Sequence, residues 1–219
     1  MNSFIKHLFS SILIIFLLSC ERSRNQTSQI DDNSYINDFE LIQKNIRNDS
    51  IIKISSPKAI INQTSNDFQI FDSSIELSNK TGNVLQIDSG RSTLNNSQNV
   101  LRIFNKVNVT LKNNQNTFIK TDTLDWDLGR SLISISTPLE VNLPNTKILS
   151  ESGYYNIDKN QLIINNNFLK RSIFNINGIK KYQIEIISDI ATWSTKNNLL
   201  EFKSIDKQVE SSIDFLSTE

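Results

Sequence analysis

The sequence is nearly empty of the residues that carry most enzyme chemistry. Its 219 residues include one cysteine, Cys20, and one histidine, His7. Both lie in or at the end of an N-terminal apolar segment, so the body of the chain contains neither. That excludes Ser-His-Asp and Cys-His nucleophilic machinery, His/Cys zinc sites, thiol redox chemistry and intramolecular disulfides. No excess of charge of one sign exists either, with 23 basic against 23 acidic residues. A bulk polyanion such as nucleic acid normally needs a basic face, and none is expected here. Glycine (five) and proline (three) are scarce, and no apolar run is long. The longest, Leu8 to Leu18, falls well short of the roughly 20 residues that a membrane-spanning helix requires.

Lys6 before that run and Ser19 after it give the basic, apolar and small-residue regions of a secretory signal. The run ends in Leu17-Leu18-Ser19-Cys20, an order that resembles the bacterial lipobox. Cys20 is then the diacylated first residue of the mature chain, and two or more acyl chains hold a protein on a bilayer far better than one. The other reading is an uncleaved signal anchor; both place the body outside the cytoplasm and against a membrane. Residues 21–38 are polar without sustained periodicity, which reads as a tether with a reach on the order of 25 Å. The expected organisation is a signal over 1–19, lipidated Cys20 and tether over 20–38, and one domain over 39–219.

From Phe39 onward, short apolar alternations recur between turns rich in Asn, Asp and Ser. Val107-Asn-Val109-Thr-Leu111, Leu124-Asp-Trp126-Asp-Leu128, Leu139-Glu-Val141-Asn-Leu143 and Tyr182-Gln-Ile184-Glu-Ile186 alternate strictly. A period of two puts the apolar side chains on one face of a sheet and the polar ones on the other. A larger repeat is superimposed on this pattern. Five apolar anchors, Ile61, Leu94, Trp126, Tyr155 and Trp193, are each followed seven residues later by another apolar residue: Phe68, Leu101, Ile133, Leu162 and Leu200. Immediately after the anchors stand Asn62, Asn95, Asp127, Asn156 and Ser194, residue types that start hydrogen-bonded turns. Each unit is therefore a hairpin, and one hairpin cannot bury its own apolar face, so the units must stack. The expected fold is all-β, a strongly twisted antiparallel sheet folded over on itself. An unpaired strand at each end would offer a docking edge for a partner.

Successive hairpins of the type Thr121-Asp-Thr-Leu-Asp-Trp-Asp127, Leu132 to Leu143 and Thr146 to Asn156 resemble the OstA-like family of lipopolysaccharide-transport periplasmic proteins, and in size and placement its LptC members. The resemblance covers roughly Phe39 to Phe202 and rests on strands and turns, without a catalytic or binding motif. It implies a β-jellyroll whose apolar interior carries the acyl chains of lipopolysaccharide or a related glycolipid. It also implies receipt from an inner-membrane ABC transporter, transfer to another OstA-like jellyroll by edge-strand pairing, and a periplasmic location. The ten apolar residues of the repeat, Ile61, Phe68, Leu94, Leu101, Trp126, Ile133, Tyr155, Leu162, Trp193 and Leu200, are then the candidate groove, with a membrane anchor that here is a lipid.

Alternatives remain open at the level of sequence. The same residues serve equally as the filled core of a structural envelope lipoprotein without lipid cargo. Asp122, Asp125 and Asp127 lack calcium-loop spacing and read as a solvated face. Lys170-Arg171 and Lys180-Lys181 read as surface charge or as phosphate contacts at a groove rim. No pair of carboxylates is singled out for catalysis, so no enzyme and no cofactor are expected; a glycan-handling enzyme would need acidic pairs roughly 5–10 Å apart in a cleft.

Overall fold

A computed structural model describes residues 33–45, 49–80, 82–112, 117–174, 178–205 and 208–215. The expected signal, Cys20 and the tether up to residue 32 lie outside the described residues. Thirteen strands are described: β1 (Asn33–Asn45), β2 (Ser50–Asn62), β3 (Asp67–Asn79), β4 (Gly82–Asn95), β5 (Val100–Leu111), β6 (Thr117–Asp127), β7 (Leu132–Ile135), β8 (Leu139–Leu143), β9 (Thr146–Asn156), β10 (Gln161–Phe174), β11 (Lys180–Ser194), β12 (Leu199–Lys203) and β13 (Glu210–Phe215). They form one antiparallel sheet in chain order. β7 and β8 share a single position between β6 and β9, and β12 and β13 share the far side of β11. The all-β fold expected from the alternation is the fold found. The first strand begins at Asn33, so residues 33–38, read from sequence as the end of the tether, belong to the sheet.

The hairpins close through one recurring turn. Residues 63–66, 96–99, 128–131, 157–160 and 195–198 form five four-residue turns. Asn62 Oδ1 accepts the N–H groups of Thr64 and Ser65, Asn95 Oδ1 that of Gln98, Asp127 Oδ1 that of Arg130 and Asn156 Oδ1 that of Lys159, all at 2.8–3.0 Å. Each turn ends on a left-handed residue, Asn66, Asn99, Ser131, Asn160 or Asn198, with φ between 53° and 57°. Asn tolerates that region better than most L-residues, because its short amide can bond the local backbone. Successive turns are laced together: Leu128 donates to the Asn99 carbonyl, Ile157 to Ser131 and Thr195 to Asn160.

What folds the sheet over is an interruption in the inward alternation of every long strand, a phase slip in all but β5. Inward side chains run with period two and then skip three residues: Ile36 to Phe39, Ser56 to Ala59, Ile70 to Ser73, Ser89 to Ser92, Thr121 to Leu124, Ser150 to Gly153, Asn167 after Ile164, and Ser188 to Ala191. In β5 the step is four, from Ile103 to Val107, across left-handed Asn105 and Lys106. The slips adjoin from strand to strand and make one crease: β2, β3 and β4 cross it with their register intact, while β5 carries one extra residue against β4 and β6, which bends that strand and raises its twist. The halves on either side then share one interior: Leu143 and Leu169 from one side line a cavity with Leu200 and Phe202 from the other.

Bending frees backbone carbonyls on the buried side, where an unpaired one is costly. In β2, β4, β6, β9 and β11 the residue before the slip is Ser or Thr, and its hydroxyl donates to the carbonyl two residues on: Ser56 to Lys58, Ser89 to Arg91, Thr121 to Thr123, Ser150 to Ser152 and Ser188 to Ile190. Ser73, Ser89 and Ser92 also bond one another. A polar seam thus follows the crease inside an otherwise apolar interior. Gly153 is needed there, since a Cβ would stand 2.7 Å from the Ile163 carbonyl oxygen.

Candidate functional site

The turn and register together explain why the repeat has a spacing of seven. Each anchor is the last inward residue of its strand, and seven positions later the chain has returned to the residue opposite it. The ten residues selected from sequence consequently form one continuous row of cross-strand partners, Ile61–Phe68–Leu94–Leu101–Trp126–Ile133–Tyr155–Leu162–Trp193–Leu200, one from each strand position between β2 and β12. This row is an apolar spine running the length of the interior.

The spine differs along its length. At the β1 end, Ile61 and Phe68 are half-buried, and the Phe68 ring lies 5.3 Å from that of Phe39. Through the middle, Leu94, Leu101, Trp126, Ile133, Tyr155 and Leu162 are 0–3% exposed. Burying a side chain of this size stabilises the fold by roughly 1.5–3 kcal/mol, so this stretch is core. Six of the ten candidate groove residues thus lie in the packed middle of the interior. Desolvation raises the Tyr155 hydroxyl above the ordinary tyrosine range, and a hydrogen bond with the Thr195 side chain partly opposes that shift.

At the far end the interior opens. A cleft of about 340 Å³ lies between the two halves, walled by Leu143, Leu169, Ile184, Ile186, Trp193, Leu200 and Phe202, with Thr146, Arg171 and Asn198 as its polar members. Two of the ten sequence candidates, Trp193 and Leu200, stand in this wall; the other eight do not. Leu143, Leu169, Ile184, Ile186 and Phe202 were missed because they lie off the repeat of anchors. Ile184 and Ile186 carried a usable signal, the strict alternation of β11. The cleft lies at the small end of the usual range for ligand pockets, about 300–1,000 Å³, and its apolar walls with a few polar groups are the usual composition.

The outer face holds the charges that the alternation assigned to solvent. Asp125 pairs with Arg102 at 2.8 Å and Glu140 with Lys147 at 2.7 Å. Hydrogen bonds from Lys147 and Asn142 hold the Glu140 carboxyl below its ordinary range. Asp122 is exposed at the crease, where the alternation of β6 slips. Among the described residues, no three His, Cys, Asp or Glu side chains converge as a metal site would require.

No family model and no curated protein matches the chain. Among solved structures it is similar to the crystal structure of LptH from Pseudomonas aeruginosa, described as the LptA-homologous periplasmic component of the conserved lipopolysaccharide transport device. The identity is 11% and the TM-score 0.43, over 61% of this chain and 95% of that one.

Proposed function

We propose that the protein is a membrane-anchored periplasmic lipid-binding bridge component of lipopolysaccharide export. It is held to the membrane by lipidated Cys20, takes the glycolipid from an inner-membrane ABC transporter and passes it to another OstA-like jellyroll by edge-strand pairing. The observation that carries this reading is the cleft, an apolar space continuous with the spine and opening where the sheet ends. An acyl chain seated there gains apolar burial against Ile186, Trp193, Leu200 and Phe202 without displacing the packed core. The described sheet also ends in strands paired on one side only, β1 at one end and β12 with β13 at the other, which suits strand addition by a partner.

A second reading is favoured by the tight burial of the middle spine: a structural envelope lipoprotein with a closed β core. In-cell photo-crosslinking separates the two. A photoreactive residue at Ile186 or Leu200 forms lipopolysaccharide adducts if the cleft holds cargo, whereas one at Asp125 or Glu140 on the outer face does not. Absence of adducts at both cleft positions, from folded and exported protein, leaves the closed-core reading.

A further inference from the structure

We infer that Arg171 selects the cargo by its head group, binding a phosphate attached to the chain that occupies the cleft; this rests on the cleft being a site for acyl chains. The local sequence Leu169-Lys170-Arg171 looks like a break in an apolar strand followed by a basic pair, but the register splits the pair. Lys170 points outward and meets Glu185 at 3.2 Å. Arg171 points inward, between its cross-strand partners Thr146 and Ile184, both of which line the cleft.

Arg171 is the one charged residue among those lining the cleft. Among the described residues no carboxylate lies within ion-pair distance of it. The acidic residues of the neighbouring strands are engaged elsewhere: Glu185 by Lys170 outside, Glu151 by the Asn166 amide and Asp189 by the Ile205 N–H, while Asp214 stands opposite Gln183, whose amide donates to Glu185. Arg171 is exposed. A chain lying along Leu169, Ile186 and Leu200 excludes water from its inner side, where a charge-assisted bond gains strength. The planar guanidinium fork matches two phosphate oxygens at once, and Thr146 and Asn198 add polar partners at the same mouth. The chain end of the ligand therefore points toward Trp193 and the spine, and the phosphate stays at the rim.

The test is equilibrium binding of dodecyl phosphate and of dodecyl maltoside, each below its micelle-forming concentration, to the purified full-length chain. The wild-type protein binds the phosphate at least about tenfold more tightly, as one charge-assisted contact warrants. Arg171→Gln lowers dodecyl phosphate affinity to that of dodecyl maltoside, Arg171→Lys retains part of the preference, and Lys170→Gln, on the outer face, leaves both affinities unchanged. A preference that survives Arg171→Gln in a protein with unaltered melting overturns the assignment while the cleft still binds chains. Failure of the wild-type protein to bind either probe removes the acyl-chain reading itself.

Discussion

Replacing Trp126 with phenylalanine probes the packed stretch of the spine more finely than replacing it with alanine. Trp126 is 1% exposed, between cross-strand partners Leu101 and Ile133, and among the described residues its indole N–H has no acceptor. Trp126→Ala opens a sealed cavity and costs about 3–5 kcal/mol. Trp126→Phe keeps one aromatic ring, shorter in reach than the indole, and loses roughly two carbons' worth of burial, on the order of 1.5 kcal/mol at about 0.8 per methylene. It also removes a buried unpaired donor, which costs about 1–3 kcal/mol where it stands. The two contributions nearly cancel, leaving the phenylalanine variant within about 1 kcal/mol of wild type. Urea unfolding followed by circular dichroism, with the slope checked for constancy, reads the difference. If Trp126→Phe proves as damaging as Trp126→Ala, the indole N–H is bonded in the folded protein and the reasoning fails.

Three further outcomes follow from the same geometry. Ser150→Ala removes the hydroxyl that serves the carbonyls of Ser152 and Asn165 at the crease, and costs about 1–2 kcal/mol by urea unfolding. At left-handed Asn160, with φ 53°, Asn160→Gly is nearly neutral whereas Asn160→Val costs about 1–2 kcal/mol, measured in the same way. Tyr155 has a raised pKa in the folded state, so the unfolded chain gives up its proton first as pH rises. Stability from this group is complete below the ordinary tyrosine value, near 10, and falls above it as pH climbs toward the folded-state value. Tyr155→Phe flattens that alkaline decline in melting temperature, and an unchanged slope refutes the attribution to Tyr155.

The spine was legible because its spacing is set by local chemistry. A turn that begins on Asn62, Asn95, Asp127 or Asn156 has a fixed length, and the residue opposite each anchor must then come seven positions later. The crease was harder to read. Its signal is present five residues before every anchor, where Ser56, Ser89, Thr121, Ser150 and Ser188 recur, but a hydroxyl in a strand reads simply as a polar outward residue. Only the slip turns it inward. The same slip at Asp38 hid the first strand, because Ile36 and Phe39 are spaced by three and do not alternate. Arg171 was half legible: within the pair Lys170-Arg171 it read as surface charge or as a phosphate contact at a rim, and register alone separates it from Lys170 and puts it on the face of Leu169 and Ile184.

The central claim is that a chain enters at the β12 end and stops short of the packed middle. With two tryptophans in the sequence, the claim can be read by fluorescence. Trp126→Phe leaves Trp193 in the cleft wall as the sole reporter, and Trp193→Phe leaves Trp126 in the core. A dodecyl phosphate brominated near its tail should quench Trp193 strongly in the first variant and leave Trp126 bright in the second. Equal quenching of both tryptophans, or of neither, contradicts the account.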